Sequence, residues 1–555
     1  MPAFEDRARD EPDSVPPSPE RQPDAPFAAL DGSMQDFPLT LNRFIDHAAK
    51  WHPHATVATA TPDGEVRHAG YADIRDRSYR LAGALRHRGV APGTRVATLA
   101  WNTQDHLEAL YAIVGMGAVC HTLNPRLTSD QLADMARQSG AEILFASVDL
   151  LPLAKGVADK ERAIRDIIVI DGEISPPAAK VRISPLRDVL QETVADPGWG
   201  EFDERSASGL CFTSGTTGAP KGVTYTHRSS YLHTLRMLQA EVMGFTRDDS
   251  VLAVVPMFHA NAWGLPFAVP AVGARLVLPG KQTDGASLAR LIAAEGVTIG
   301  IGVPTVWASL ISHLEETGIQ LPSLKRLIVG GSALPQALME RIESQLGCIV
   351  QTSWGMTELS PSGTVAPPGD QTRAADRSGR PAIGVDLLIG DAAGVPLAEQ
   401  RNAEGHLYVR GAAVIERYFG ADDRTANPAG WFATGDLARI DDDGNLFITG
   451  RAKDLIKSGG EWINPAEIEA IIGALPEIDL VAVVGRSDAR WGERPVMIVK
   501  LTEGRAISDD DLRVALADSV PSWWLPDQII RLDAIPLAPT GKIDKMSLRA
   551  DYGAG

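Results

Sequence analysis

Between residues 250 and 358 short apolar runs alternate with helical stretches, which restricts this part of the chain to a parallel sheet flanked by helices. Val251-Leu-Ala-Val-Val255, Thr298-Ile-Gly-Ile301, Leu327-Ile-Val329 and Cys348-Ile-Val350 read as strands. Residues 335–346 read as a helix, with Pro335 in the first turn, where a missing N–H costs nothing. The apolar window 291–311 reads as helix, strand and helix, not as a membrane span, because Glu295, Gly296, Gly300, Gly302 and Pro304 interrupt it. Ligands of open parallel sheets sit beyond the carboxyl ends of the strands. The segments expected there are Gly302-Val303-Pro304, Gly330-Gly331-Ser332-Ala333 and Trp354-Gly355-Met356-Thr357-Glu358, so candidate chemistry converges on one edge.

A second feature is the loop Cys211-Phe-Thr213-Ser214-Gly215-Thr216-Thr217-Gly218-Ala-Pro-Lys221-Gly222. Its hydroxyls, glycines and single ammonium suit a phosphate cradle. It is not a Walker loop, since Lys221 follows Pro220 and precedes Gly222 rather than a hydroxyl residue. Gly280-Lys281 and Gly541-Lys542 also lack the following Ser or Thr, which disfavours ordinary P-loop chemistry.

The 555 residues exceed what one core usually holds, and the net charge of -18 argues against binding nucleic acid or anionic lipid by charge. Three cysteines, Cys120, Cys211 and Cys348, form no short-spaced pair, which indicates neither a zinc site nor a disulfide framework and suits a reducing cytoplasm. Residues 1–34 are rich in Pro, Asp, Glu and Arg and are expected to be a disordered tail with no secretory signal. A large N-terminal α/β domain is expected over 35–452 and a small α+β domain over 453–555. In the latter Asn464 is placed to cap a helix, with Pro465 at its first position and Glu467 reaching back in a capping box.

Further motifs follow in order: Gln351-Thr-Ser-Trp354-Gly355-Met356-Thr357-Glu358, Gly430-Trp-Phe-Ala-Thr434-Gly435-Asp436, Gly450-Arg451-Ala-Lys453-Asp454-Leu-Ile-Lys457-Ser458-Gly459-Gly460 and Pro539-Thr-Gly541-Lys542. Together with the 211–222 loop they resemble the adenylate-forming superfamily. Pro256-Met-Phe258-His259-Ala-Asn-Ala-Trp263-Gly264 and Asn124-Pro-Arg-Leu127 make the chain most similar to its medium- and long-chain fatty-acyl-CoA synthetase branch.

The resemblance implies an ATP-dependent acid:CoA ligase. It forms an acyl-AMP and then an acyl-CoA, with release of pyrophosphate and AMP, using ATP, Mg²⁺ and CoA. Residues 213–222 would hold the β- and γ-phosphates, Thr357 the α-phosphate region, and Glu358 with Thr217 the Mg²⁺. Gly331, Ser332 and Ala333, after Gly330, would form the adenine platform beside Trp354, Gly355 and Met356, and Asp436 with Arg451 would bind ribose. Lys542 would bridge acid and α-phosphate oxygens. Lys453 would be the hinge about which the small domain swings, bringing Lys457, Ser458, Gly459, Gly460 and Trp462 to the CoA thiol. His259, Trp263, Gly264, Phe267, Val303 and Pro304 would line the acyl pocket. Because no charged residue is in that set, a medium to long fatty acid is the expected substrate.

A ligase for a small thioether, aryl or branched acid, such as methylthiopropionate, is the enzymatic alternative. An adenylation enzyme loading a carrier protein and a non-catalytic nucleotide-binding scaffold are the others. The short run after Lys542 leaves no carrier domain and favours free CoA. A cytoplasmic enzyme without a transmembrane segment, and a homodimer through the N-terminal domain, complete the expectations.

Overall fold

The computed structural model describes residues 34–174, 181–192, 195–213, 220–369, 373–459, 461–517, 519–538 and 542–554. The expected tail therefore lies, except for Met34, outside the described residues.

The alternation seen in the sequence folds into a nine-stranded sheet. Its central strands, in spatial order Ile349–Gly355, Arg326–Val329, Ile299–Gly302, Ser250–Ala253, Arg275–Leu278 and Thr56–Ala60, are all parallel. Helices Gly285–Glu295 and Pro304–Thr317 flank the strand Ile299–Gly302, so the apolar window is helix, strand and helix. Among the described residues no helix is long and apolar enough to cross a membrane. Two glycines in that strand make room for one side chain. A Cβ at Gly300 would come within 2.7 Å of fully buried Trp307, and one at Gly302 within 2.9 Å. Filling either space overpacks the core at about 1–3 kcal/mol.

Pro335 differs slightly from its expected place. It precedes the helix Gln336–Leu346 as an extended N-cap residue.

A second, seven-stranded sheet is parallel from Arg182–Pro185 through Ala207–Thr213 and ends on the antiparallel strand Lys221–Thr226. Both parallel sheets bury β-branched and leucine side chains on two faces, as sheets covered by helices must. An antiparallel four-stranded sheet, Val385–Gly390 to Leu446–Arg451, follows. A five-stranded sheet then closes the chain around the long hairpin Ile478–Asp488 and Gly492–Leu501. The architecture is α/β, a large parallel-rich part followed by a small C-terminal unit.

In that last unit Asn464 caps the helix Pro465–Gly473, accepting from the Ala466 N–H at 3.2 Å. The expected capping box is absent, because Glu467 accepts from the Asn464 side chain at 3.1 Å rather than from its backbone. The Asn464 amide also donates to the Thr449 carbonyl at 2.7 Å, tying the helix start to the preceding sheet.

Candidate active site

Three parallel strands end side by side, and the loops after them form the floor of the candidate site. Gly330 must be glycine, because a Cβ there would lie 2.2 Å from Ser353 Oγ. Gly331 adopts φ +83°, which glycine accepts without strain. Exposed Ser332 and Ala333 continue this strip of small residues, where a planar ring can lie against backbone. The Trp263 indole already packs on it, 3.1 Å from a Cβ position on Gly330 and 3.6 Å from one on Gly331, with Val303 3.2 Å from the latter.

Asp436 is the buried acid of the site, 1% exposed on the strand Phe432–Ile440 and directly opposite Arg451 in register. Trp354 Nε1 donates to Asp436 Oδ2 at 2.9 Å. Arg451 Nε stands 2.6 Å from Oδ1, yet without the alignment of a hydrogen bond, so this oxygen keeps its acceptor capacity. Burial raises the Asp436 pKa, opposed by Arg451, Trp354 and Lys542. A buried carboxylate with one tethered and one unused oxygen suits a pair of sugar hydroxyls.

Glu358, also buried, accepts from Tyr418 OH through Oε1 at 2.9 Å. Lys221 Nζ lies 5.0 Å from the centre of the same Tyr418 ring, and the Phe419 N–H donates to the Gly222 carbonyl at 2.7 Å. Tyr225 OH donates to the Thr357 carbonyl at 2.9 Å. Residues 418–419 therefore bring the start of the strand Lys221–Thr226 to the Thr357-Glu358 turn. Thr213 pairs with Lys221 at the neck of the hairpin. Ser214, Gly215, Thr216, Thr217 and Gly218 lie outside the described residues, as does Gly460. Among the described residues no three His, Cys, Asp or Glu stand together for a metal. A single hard carboxylate such as Glu358 fits Mg²⁺ that takes its other oxygens from phosphates and water.

Lys542 enters this site from the C-terminal unit. Lys542 keeps exposed surface, but the groups crowded around it lower its pKa, by desolvation first and then by Arg451, with Asp436, Lys453 and Glu358 also acting on it. One ammonium thus stands in the field of two buried acids, Asp436 and Glu358. His259 belongs to the same field: burial, Arg126 and Lys542 lower its pKa to about 4, and its Nε2 has no partner among the described residues. At neutral pH it is an uncharged imidazole, suited to positioning rather than to proton transfer.

The segment after His259 is strained. Ala260, Asn261, Ala262 and Trp263 have φ of +44°, +52°, +50° and +55°, four consecutive non-glycine residues in the left-handed region, before Gly264 at +80°. Each costs about 1–2 kcal/mol relative to a right-handed turn. The surrounding packing sustains this turn, which lays the half-buried Trp263 over the glycine strip, and Gly264 and Phe267 line a small hollow. Pro304 begins the helix Pro304–Thr317 beside Val303.

The remaining sequence candidates sit in the C-terminal sheet. Lys457 and Trp462 are exposed on a short hairpin, the Lys457 ammonium 5.4 Å from the indole centre. Ser458 is buried and accepts from Arg494 at 3.2 Å, and Gly459, at φ +61°, leaves room for Trp491. Lys453 lies in the single turn Ala452–Asp454, its pKa lowered by desolvation against Asp454. The structure thus gathers Trp354, Glu358, Asp436, Arg451 and Lys542 around one cleft. The Lys457 hairpin makes its contacts within its own sheet. Sequence reasoning missed Tyr418 and Tyr225, which hold the Thr357-Glu358 turn. Only their shared phenol, without any motif, marks them.

Known proteins resemble this chain over most of its length. Residues 45–419 match the family of AMP-binding enzymes, and residues 467–542 match the AMP-binding enzyme C-terminal domain. A 3-methylmercaptopropionyl-CoA ligase of Ruegeria lacuscaerulensis is 38% identical over 94% of this chain and 98% of its own length. A medium-chain-fatty-acid–CoA ligase of Ectopseudomonas oleovorans is 38% identical over 94% and 97%. A solved anthranilate CoA ligase in complex with anthranoyl-AMP shares the fold, with a TM-score of 0.82 at 24% identity, covering 93% of this chain and 98% of that one. The chain belongs to the AMP-binding enzyme family, in the acyl-CoA synthetase branch of the adenylate-forming superfamily.

Proposed function

We propose that this AMP-forming acid–CoA ligase, which uses ATP, Mg²⁺ and CoA, activates a medium to long fatty acid. The observation that carries this is the uncharged packing of the Trp263 indole on Gly330 and Gly331 beside Val303, which an apolar tail would have to displace. Asp436 Oδ1 and Arg451 bind the ribose, and the 213–222 loop with Lys221 cradles the β- and γ-phosphates. Thr357 contacts the α-phosphate region, and Glu358, with Thr217, would hold Mg²⁺, which would supply positive charge toward the pyrophosphate. Lys542 steers the acid's oxygens and the α-phosphate together, an electrostatic and positional contribution of the kind that dominates such transfers. The chain divides at 452/453, with Lys453 as the hinge, and the swing presents Lys457, Ser458, Gly459, Gly460 and Trp462 to the CoA thiol. Three buried, unpaired cysteines support a cytoplasmic setting. A homodimer through the large domain remains part of the reading on resemblance alone.

The Ruegeria relative, equal in identity to the medium-chain one, favours a second reading, a small thioether acid. A panel of acids assayed for pyrophosphate release and CoA-thioester formation separates the two. A fatty-acid enzyme should gain about 0.8 kcal/mol per buried CH₂ until its passage is filled. Trp263→Ala should flatten that dependence while leaving acetate little changed. Selectivity that falls steadily beyond acids of three or four carbons, as an order-of-size guide, would promote the small-acid reading. Lys453→Pro should stiffen the hinge, leaving pyrophosphate exchange normal and stopping thioester synthesis. An unaltered overall rate would remove Lys453 from that role.

A further inference from the structure

We propose that the hollow beneath the 260–264 turn is a binding subsite for a hydrogen-bond donor at the far end of the acyl substrate. This rests on the acid-ligase reading and names the class of acid it leaves open. Tyr225, Ser230, His233, Asn261 and Ser360 give the hollow its polar lining, with Phe267 beside them. Its volume is about 10 Å³, room for about one water. Asn261 is 7% exposed, and its Oδ1 has no partner among the described residues. An amide oxygen buried without a donor costs free energy, so the hollow is built around an unmet acceptor.

His233 supplies the complement. The Ser362 N–H donates to its Nε2 at 3.3 Å, which leaves the ring proton on Nδ1, and Nδ1 lies 3.0 Å from where Gly264 would carry a Cβ. Burial keeps this imidazole neutral. With the Tyr225, Ser230 and Ser360 hydroxyls alongside, the hollow offers hydrogen-bonding groups but no charge, and suits a hydroxyl rather than a carboxylate or an ammonium.

Its position links it to the acyl passage. Ala260 and Gly264, at the two ends of the turn that carries Trp263, both line the hollow, so one strained turn separates the indole from Asn261 Oδ1. A tail that displaces the indole meets the hollow next. A terminal methyl would leave Asn261 Oδ1 without a donor, whereas a terminal hydroxyl supplies one. The favoured substrates are carboxylic acids with a hydroxyl at the end remote from the carboxylate.

The test compares terminal-hydroxy acids with plain alkyl acids of equal chain length, read as kcat/KM for pyrophosphate release. At one length the hydroxy acid should exceed its alkyl match about tenfold, and Asn261→Ala should bring the two level. Asparagine accepts the left-handed region at this position, φ +52°, more readily than alanine does, so the variant adds backbone strain and the ratio of the two acids, not the rate, is the readout. The ratio is taken within one preparation, so loss of folded protein cancels. Hydroxy acids no better than alkyl acids at every length, or an advantage that survives Asn261→Ala, overturns the subsite. Failure of every medium and long alkyl acid to form a CoA thioester would instead overturn the fatty-acid reading, with the ratio still measurable between short hydroxy and alkyl acids of equal length.

Discussion

Lys542→Ala should abolish formation of the acyl-adenylate, by a factor on the order of 10² to 10³ or more, while thioester formation from supplied acyl-AMP and CoA stays largely intact. The reason is local: Lys542 is an ammonium of the C-terminal unit set among Arg451, Asp436 and Glu358. Pyrophosphate exchange measures the first half-reaction, and thiol consumption with synthetic acyl-AMP measures the second. Equal loss in both would count against a swinging small domain. The lowered pKa adds a pH signature. Lys542 acts as a cation, so the first half-reaction is complete below its pKa and falls as pH rises through it. With desolvation and Arg451 pulling that pKa down, the alkaline limb should come earlier than an ordinary lysine would give, and should vanish from the second half-reaction.

Asp436→Asn should chiefly weaken ATP binding, raising the KM for ATP by about tenfold to a hundredfold, since hydrogen bonds to a charged, buried acceptor are worth about 1.5–3 kcal/mol. The variant keeps the shape of the side chain but removes its charge. Arg451 and Trp354 Nε1 lose their shared anion, so thermal stability should fall as well. Titration with a non-hydrolysable ATP analogue separates the two effects. Unchanged affinity in a folded variant would place the ribose elsewhere.

The parallel edge was legible because its strands are short, apolar and rich in β-branched residues, and because Gly330 and Gly331 advertise a close backbone approach. What stayed hidden were side-chain pairs that only the fold creates. Trp354 and Asp436 are 82 positions apart, and Glu358 and Tyr418 are 60 apart, so neither pair leaves a local pattern. The turn at Ala260–Trp263 was hidden for a different reason. Alanine and tryptophan oppose the left-handed region, so propensity pointed away from the conformation that tertiary contacts impose. Asn464 was readable as a cap, but Glu467 was misplaced by one partner, since the carboxylate found a side-chain amide instead of a backbone N–H.

The ion pairs on either side of Lys453 bear on how the proposed swing is executed. Upstream, Arg451 is held by Asp436 in the last rung of a ladder. Downstream, Asp454 is clasped by Arg549 of the final helix at 2.6 Å. Only Ala452 and Lys453 lie between these anchors, so a handful of backbone torsions must carry the whole rotation. A joint that short behaves as a toggle rather than a tether. The small unit should dwell in a few discrete poses, and because ribose would bind the upstream anchor directly, nucleotide occupancy and pose should be thermodynamically reciprocal.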